Sequence, residues 1–290
     1  MSPSDIEFVI LAAGKSTRNY PHSKGIPHKS LVPFGSRKVI DYIIKEPIAA
    51  GLKHITIVVS DERAKESFET CFAREKDIED KFERSGNIIG LELLQSLYLP
   101  ADVEVRYVIQ SAPLGIGHAI GLVAKSSPGR HLAVRLPDDM VLSKGKPAIT
   151  RALEKYISDG RGGNLIITRE VEDPRRWGII ENGVFREKPE SSTSREAYHS
   201  LAILDARVGE ALALAMDKPF AGELHFADSL NSIVREDSAM AIRTFPIGRE
   251  ETYLDCGTLQ GYEEALIYML LSESPYREKN RAVARKLADG

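Results

Sequence analysis

Short apolar runs rich in Val, Ile and Leu alternate with segments of helical periodicity over most of the chain. The strand-like runs are IEFVILAA (6–13), HITIVVS (54–60), VEVRYVIQ (103–110), HLAVRLPDD (131–139) and GNLIITREV (163–171). The helical segments are VIDYIIKEPIAAG (39–51), residues 61–100, GHAIGLVAKSS (117–127) and AITRALEKYISDG (148–160). Continuously apolar strands separated by helices are typical of parallel sheets covered on both faces. The sequence therefore predicts an α/β fold with a single doubly wound, mostly parallel, Rossmann-like sheet, in which ligands bind beyond the carboxyl ends of the strands.

Local signals add detail to this architecture. Pro47 predicts a kink in the helix over 39–51, and Gly51 predicts its end. The segment WGIIENGVFREKP (177–189) predicts a small β-hairpin extension that turns at Asn182 and Gly183. A charged C-terminal helix is predicted within SPYREKNRAVARKLADG, and we interpret it as solvated or in contact with another subunit. We therefore divide the chain into a main domain, 1–270, and a C-terminal helical tail, 271–290.

Composition and charge narrow the class of protein. The chain has 290 residues, 42% of them hydrophobic, which is enough for a sizeable α/β core. Its formal net charge of −3 gives no indication of a nucleic-acid partner. There are two cysteines, no basic leader at the N-terminus and no run near the ~18 apolar residues of a membrane span. We expect a cytoplasmic enzyme that acts on small molecules and does not associate with membranes.

The segment LAAGKSTR (11–18) ends like a phosphate-binding loop. A P-loop requires Gly-x-x-x-x-Gly-Lys-[Ser/Thr], but Val9 occupies the first glycine position and three prolines between residues 21 and 33 oppose the helix that should follow. The Gly-x-Gly-x-x-Gly pattern of a dinucleotide-binding loop is also missing here. A strand followed by a small-residue turn with Lys15 and Arg18 remains. This pattern favours phosphates held by backbone and side chains together.

Further polar or glycine-rich clusters follow other predicted strands. They are QSAPLGIGHA (110–119), LPDD (136–139), REKP (186–189) and YLDCGT (253–258). Each cluster has an ordinary structural explanation, since Asp138 or Asp255 could cap a helix and Glu187 with Lys188 could form a surface pair. Because parallel strands end at one edge of a sheet, the clusters together indicate a binding site.

The order of these motifs resembles that of the sugar-1-phosphate nucleotidyltransferases, above all the bacterial UTP–glucose-1-phosphate uridylyltransferases. The family pattern GxGTRxxP…PKxxLP corresponds to GKSTRNYP…PHKSLVP, and PLGIGHAI, LPDDMVL, WGII, EKP, GELHFADSL and LDCGTLQGYEEAL follow in family order. The resemblance implies a fold of the nucleotidyltransferase type, a catalytic domain over 1–270, and Mg²⁺-dependent uridylyl transfer from UTP to glucose 1-phosphate. Thymidylyl transfer from dTTP, another sugar 1-phosphate as acceptor, and a non-catalytic nucleotide-sugar sensor stay open. We also expect a homo-oligomer.

The resemblance also implies a set of site residues. Arg18 and Lys29 would be the catalytic cations, and Asp138 and Asp255 would hold Mg²⁺. The nucleotide would be bound by Leu11, Ala12, Ala13, Gly14, Lys15, Gln110 and Gly115. The sugar phosphate would be bound by Gly178, Glu187 and Lys188. The Gln110 amide would both donate to and accept from a pyrimidine, and Gly115 would let the base lie against the backbone.

The chain departs from the family pattern at two points. Ser16 replaces the usual glycine before Thr-Arg. The loop from Arg18 to Lys29 is one residue longer, so strict spacing would put His28 in the position of the catalytic lysine. We align Lys29 because KSLVP then matches the pattern that follows this lysine.

Several residues beside these motifs are interpreted as structural. Asp139 is a poorer metal ligand than Asp138, since neighbours on a strand point to opposite faces. His118 is assigned to helix packing and Cys256 to a small buried position. Trp177 is assigned to the core, with a place in the lining of the sugar-phosphate pocket as the alternative.

Overall fold

The structure of the protein, a computed structural model, describes residues 1–160, 162–220 and 222–288. Its strands are β1 (Ile6–Ala12), β2 (Pro33–Phe34), β3 (Arg37–Lys38), β4 (His54–Val59), β5 (Glu104–Ile109), β6 (His131–Arg135), β7 (Asp139–Leu142), β8 (Asn164–Glu170), β9 (Gly178–Glu181), β10 (Val184–Glu187), β11 (Glu196–Leu204), β12 (Ile242–Pro246) and β13 (Thr252–Asp255). Its α-helices are α1 (Val39–Ile43), α2 (Lys45–Ala49), α3 (Glu62–Phe72), α4 (Lys76–Ser85), α5 (Ile88–Gln95), α6 (Ile116–Ser126), α7 (Ala148–Asp159), α8 (Ala206–Ala215), α9 (Phe226–Glu236), α10 (Leu259–Ser272) and α11 (Arg277–Ala288).

The predicted doubly wound α/β architecture is confirmed. A nine-stranded sheet runs in the order β10–β9–β11–β6–β1–β4–β5, with β8 paired to β11 and β12 paired to β8. Strands β6, β1, β4 and β5 are parallel to one another, whereas β11 is antiparallel to both β6 and β8. The sheet is therefore mixed. The segment LAAGKSTR follows β1, which belongs to the parallel part.

Hydrophobic cores cover the sheet on both faces. Phe8 and Ile10 of β1 lie in a cluster that includes side chains from α1 and α7, whereas Val9 lies in a second cluster with side chains from α6, α8 and α9. Alternate residues of one strand thus enter opposite cores, as the pleat of a strand requires. Burial on both faces explains why the strand reads as a continuous apolar run.

The helix predicted over 39–51 is broken into α1 and α2. Ile44 separates the two segments, and the chain leaves α2 at Gly51, which has a φ of +82°. Pro47 lacks an N–H, and its ring opposes the carbonyl of the residue four positions earlier, Ile43. The helix is interrupted at Ile44, three residues before the proline and next to the carbonyl that its ring opposes.

The segment HLAVRLPDD contains a turn and two strands. β6 ends at Arg135, residues 136–138 form a turn, and β7 begins at Asp139. β7 pairs antiparallel with β13, which places Asp139 opposite Asp255. The prediction of one strand over the whole segment is wrong, because a four-residue strand that pairs only with a distant segment has no clear local pattern.

The hairpin and the charged terminal helix are found as predicted. β9 and β10 pair antiparallel around Asn182 and Gly183, which both have positive φ values, 52° and 74°. Both φ values suit the tight turns that match the twist of hairpin strands. The charged helix is α11, which packs its Asn280 amide against the Leu270 carbonyl at the end of α10.

Within the described residues, we find no helix with both the length and the apolar character needed to cross a membrane.

Candidate active site

Two adjoining cavities open at the carboxyl ends of the parallel strands. The small cavity has a volume of about 260 Å³ and lies at the ends of β1, β5 and β6. The large cavity has a volume of about 1180 Å³ and lies against the β9–β10 hairpin, β11 and α9. Leu136, Asp138, Ile116 and Glu223 line both cavities. Asp138 therefore lies at the wall between them.

The turn after β1 forms one wall of the small cavity. The side chains of Leu11 and Ala13, with Gly14, line this cavity, whereas the side chain of Ala12 is buried in the core on the other face of the sheet. Lys15 is exposed and lies outside the lining. Three of the five residues predicted to bind the nucleotide thus line the small cavity, whereas strand alternation turns Ala12 away and Lys15 faces solvent.

Two cations converge on one carboxylate oxygen at the wall between the cavities. Lys29 Nζ lies 2.8 Å from Asp138 Oδ2, and the Lys29 side chain is 10% exposed. Arg18 Nη2 lies 3.6 Å from the same oxygen, and its side chain is 71% exposed. Lys29 is therefore held in a confined position, while Arg18 reaches in from solvent.

His28 also borders the small cavity, but its ring has a different role from Lys29. Its Nδ1 accepts a hydrogen bond from the Ser30 amide at 3.2 Å, which caps the short 3₁₀ turn Lys29–Leu31. Burial, followed by the charge of Lys29, lowers the pKa of His28 to about 3. The ring is neutral near pH 7 and cannot supply the positive charge that the lysine supplies.

Ser16 occupies the position where the family pattern has glycine. Its φ is 55°, in the left-handed region that glycine adopts most easily. Its hydroxyl accepts a hydrogen bond from the Lys29 amide at 3.0 Å. The serine thus adopts the glycine-like backbone and also anchors the segment that carries Lys29.

The pairing of β7 with β13 sets the spacing of the acidic residues. The Cys256 amide donates to the Asp138 carbonyl at 2.8 Å, beside the Asp139–Asp255 pair. Asp139 is buried and accepts from Arg135 Nη1 at 2.8 Å, whereas the Asp138 side chain faces both cavities. The Asp138 carboxylate is therefore the more exposed of the two, at 22% against 10%. Asp138 lies in the turn before β7, so the bonds of Asp139 to Arg135, and not strand alternation, explain the difference.

Asp255 is held by the turn that follows β13. Its Oδ1 accepts from the Gly257 amide at 2.7 Å and its Oδ2 accepts from the Thr258 hydroxyl at 2.8 Å. The N-cap of α10 is Thr258, whose side chain accepts from the Gly261 amide. The interpretation of Asp255 as a helix cap is thus wrong, because Thr258 fills that position.

Gly257 leaves a small space between the Asp138 and Asp255 carboxylates. A Cβ at this residue would lie 3.0 Å from Asp138 Oδ2 and 3.1 Å from Asp255 Oδ1, so both oxygens border one point. Mg²⁺ typically takes one or two carboxylates and completes its octahedron with water and phosphate oxygens. The two aspartates fit such an ion. No cluster of three or more potential metal ligands occurs among the described side chains, so further ligands would come from substrate and water.

Gln110, Gly115 and His118 form a hydrogen-bonded group at the end of β5. Gln110 Nε2 donates to the Gly115 carbonyl at 3.0 Å and lies 3.1 Å from His118 Nδ1. Both amide hydrogens are therefore used within the protein, and Oε1 is left to accept. This corrects the expectation that the amide donates and accepts at once. It also gives His118 the role of orienting Gln110.

Gly115 is required by the protein backbone. Its φ is 92°, and a Cβ there would lie 2.8 Å from the Leu224 carbonyl oxygen. The Leu224 amide in turn donates to the Leu114 carbonyl at 2.8 Å. The expectation that Gly115 lacks a side chain to admit the base is therefore corrected: the segment before α9 fills that place, although Gly115 does line the small cavity.

The hairpin brings the three predicted sugar-phosphate residues to the large cavity. Gly178 pairs with Glu187 across the two strands, and the Lys188 amide donates to the Trp177 carbonyl at 3.0 Å. Gly178, Glu187 and Lys188 all line the cavity. Trp177 also lines the cavity, which agrees with the alternative given for this residue.

Further features in and behind the wall of the large cavity were not predicted from the sequence. Trp177 and Tyr253 line the cavity, and behind them the Arg169 guanidinium lies 4.4 and 4.3 Å from their ring centroids. His199 and Ser200 line the cavity at a bulge in β11, and Ser200 has a φ of 53°. Two adjacent polar residues, His199 and Ser200, interrupt the apolar run AYHSLAILD, and this interruption could have indicated that they line a site.

Asn231 fixes the hairpin from the side of α9. Its Oδ1 accepts from the Phe185 amide at 2.9 Å, and its Nδ2 donates to the Phe185 carbonyl at 2.6 Å. One side chain thus satisfies both backbone groups of a residue on β10. An amide in a helix gives no local sign of this contact, which joins residues far apart in sequence.

The profile of the family described as Nucleotidyl transferase matches residues 7–270 of the chain. The chain belongs to this family. This nucleotidyltransferase is 30% identical over 285 residues to UTP–glucose-1-phosphate uridylyltransferase 2 of Staphylococcus saprophyticus, with 93% of the chain and 94% of the relative covered. It is 28% identical over 244 residues to UTP–glucose-1-phosphate uridylyltransferase YngB of Bacillus subtilis, with 79% of each covered.

Solved structures have the same fold as this nucleotidyltransferase. A UTP-bound UGPase from Acinetobacter baumannii superposes with a TM-score of 0.82 at 24% identity, covering 97% of this chain and 99% of that one. A UDP-glucose pyrophosphorylase in complex with UDP-glucose has a TM-score of 0.71 at 25% identity, covering 90% and 96%. The predicted enzyme class and fold of the nucleotidyltransferase are therefore confirmed.

Proposed function

We propose that this nucleotidyltransferase transfers the uridylyl group of UTP to glucose 1-phosphate and releases pyrophosphate. One observation carries the proposal: Lys29, Arg18 and Asp138 converge where a small cavity meets a large one. The small cavity would hold the nucleotide and the large cavity the sugar phosphate. The names of the relatives, which are uridylyltransferases that act on glucose 1-phosphate, support the choice of both substrates.

The reaction joins two polyanions, so positive charge and positioning supply most of the catalysis. A phosphate oxygen of the sugar phosphate attacks the α-phosphorus of UTP, a new P–O bond forms, and the bond to the pyrophosphate leaving group breaks. Lys29 would leave Asp138 to stabilise the charge on the α-phosphate, and Arg18 would hold the β- and γ-phosphates. Mg²⁺ bound at Asp138 and Asp255 would neutralise phosphate charge. A protein nucleophile is not required.

The small cavity would select the base. Gln110 Oε1 is available to accept a hydrogen bond because both hydrogens of its amide group are used within the protein. Uracil presents an N3–H donor to such an acceptor, whereas cytosine presents a lone pair at the same position. An acceptor that faces an acceptor leaves buried polar groups unpaired, which strongly disfavours binding.

The large cavity would bind the acceptor. Lys188 would hold the phosphate of the sugar phosphate, and Glu187 with the backbone of Gly178 would meet the sugar hydroxyls. All three line one wall of this cavity. Residues 1–270 would form the catalytic domain, and the charged tail after them would take no part in the chemistry.

Pyrophosphate release tests the proposal directly. The protein is incubated with UTP or dTTP and a panel of sugar 1-phosphates, with Mg²⁺ or after treatment with EDTA, and UDP-glucose is identified among the products. We expect the fastest release with UTP, glucose 1-phosphate and Mg²⁺, and loss of turnover with EDTA. A faster reaction with dTTP would indicate a thymidylyltransferase, and a faster reaction with another sugar 1-phosphate would indicate a different acceptor. Binding of UDP-glucose without turnover in any combination would indicate a sensor.

A further inference from the structure

Arg135 is a fully buried arginine directly before the turn that carries Asp138. It stands at the end of β6, and its side chain has no exposed surface. Its guanidinium reaches Glu46 on α2 and the turn over residues 136–139. An arginine at this depth is uncommon and is normally retained only with partners for its charge.

All five N–H donors of Arg135 are used. Nε and Nη2 donate to the two oxygens of the Glu46 carboxylate, at 2.9 and 3.0 Å. Nη1 donates to the Leu136 carbonyl at 2.7 Å and to Asp139 Oδ1 at 2.8 Å. Nη2 also donates to the Asp139 carbonyl at 3.0 Å. One planar group therefore binds the residues on both sides of the Pro137–Asp138 step.

Other bonds complete the frame around Asp138. The Leu136 amide donates to the Ser200 carbonyl at 2.8 Å, and the Ser200 hydroxyl bonds to Asp139 Oδ2. The Cys256 amide donates to the Asp138 carbonyl at 2.8 Å. The backbone around Asp138 is thus held on every side, while its carboxylate remains 22% exposed toward the cavities.

The stability of the core does not explain this arrangement. A buried arginine with carboxylate partners contributes little net stability, and apolar side chains of similar volume often serve equally well. Apolar side chains cannot, however, hold the Leu136 and Asp139 carbonyls. Lysine cannot do so either, since it lacks the rigid fork of donors.

We propose that Arg135 is a positioning residue that fixes the Asp138 carboxylate at the wall between the two cavities, with Glu46 holding its guanidinium in place. This inference rests on the proposed uridylyl transfer for its consequence in catalysis. The proposal predicts that loss of the guanidinium donors increases the mobility of residues 136–142 and lowers kcat. The binding of glucose 1-phosphate should not become weaker.

Arg135→Lys tests the proposal, with Arg106→Lys as the matched control. Arg106 bonds to the fully buried Glu7 at 2.9 Å near the start of β1, at the opposite end of the sheet from the cavities. We expect Arg135→Lys to lower kcat by about 10- to 100-fold, the scale for a misplaced catalytic group. Its KM for glucose 1-phosphate should stay within about 3-fold of the original. Hydrogen exchange of residues 136–142 should accelerate, and Arg106→Lys should change neither quantity.

A second variant separates positioning from folding. Arg135→Met combined with Glu46→Met and Asp139→Asn removes the buried charges that Arg135 links and nearly keeps the volume, so most of the thermal stability should return while kcat stays low. Recovery of kcat together with stability would overturn the proposal, as would unchanged kcat and exchange in Arg135→Lys. If the original protein released no pyrophosphate, the proposed function would fail, and the exchange comparison alone would decide the role of Arg135.

Discussion

The small and large cavities are built from different kinds of structure. Segments that leave β1, β5 and β6 line the small cavity, and these three strands belong to the parallel part of the sheet. The hairpin, the bulged strand β11 and the start of α9 line the large cavity. Parallel strands end at one edge of a sheet and so fix the nucleotide side in the fold itself. The acceptor side depends on peripheral elements, so we infer that base choice is rigidly determined and sugar choice is easier to change.

Backbone strain occurs on both sides. Lys188 and Ser200 line the large cavity with positive φ values of 43° and 53°. On the nucleotide side, Ser16 has a φ of 55° and accepts from the Lys29 amide. Such conformations cost about 1–3 kcal/mol for residues other than glycine and cluster at functional sites. The two sides therefore share this feature and differ in the elements that build them.

The largest effect should come from the cation at the wall between the cavities. Lys29→Ala removes the amine that lies 2.8 Å from Asp138 Oδ2. We expect kcat to fall by about 100-fold or more, the scale for loss of one electrostatic stabiliser. His28→Ala serves as the neighbouring control and should have a much smaller effect on kcat. Steady-state kinetics of both variants would show the reverse ranking if His28 were the catalytic position.

A pH effect on stability should involve both cavities, because each wall contains a buried histidine. Burial first lowers the pKa of His28 to about 3 and that of His199 to about 4. Below pH 6.5 the unfolded chain binds protons that the folded chain does not, so stability falls as the pH falls toward these values. At pH 5 each histidine should reduce the free energy of unfolding by about 2 kcal/mol relative to neutral pH.

His28→Asn isolates one of these contributions. Asparagine can accept from the Ser30 amide as the ring does, but it does not titrate. Urea unfolding at pH 7.5 and at pH 5 should show a smaller loss of stability for the variant. An equal loss in variant and original protein would mean that the His28 ring is not held neutral.

A smaller effect should separate the acceptor side from the nucleotide side. Lys188→Ala removes a cation from the large cavity, and we expect the KM for glucose 1-phosphate to rise about 10-fold, as for a lost charged hydrogen bond. The KM for UTP should stay nearly constant. Arg175→Ala is the control, since Arg175 pairs with Asp173 and lies outside the cavity lining. Equal increases in both KM values for Lys188→Ala would argue against the binding of the nucleotide and the sugar phosphate in separate cavities.

The nucleotide side was largely predictable from the sequence. A strand followed by a small-residue turn placed Gly14 at the small cavity, and the run before Gln110 placed this residue at the end of β5. The ranking of Asp138 above Asp139 as the residue open to the site agrees with their exposure, although Asp138 lies in a turn and not in the strand from which the argument started. These inferences depend on local periodicity and on the common edge of parallel strands.

The remaining features depend on contacts that no local pattern records. Strand β7 is defined by its pairing with β13, more than a hundred residues later. Arg135 reads as one residue of an apolar strand, although it bonds to Glu46 on another element. The reason for glycine at position 115 is the Leu224 carbonyl, which only the folded chain brings there.

Base selection tests the central claim most directly. The kcat/KM values of the protein for UTP and CTP are measured with saturating glucose 1-phosphate, and the same pair is measured for Gln110→Ala. We predict that CTP is at least about 100-fold poorer than UTP, and that Gln110→Ala narrows this ratio without changing the KM for glucose 1-phosphate. A CTP value within about 10-fold of the UTP value in the original protein would contradict the assignment of the small cavity as a uracil site.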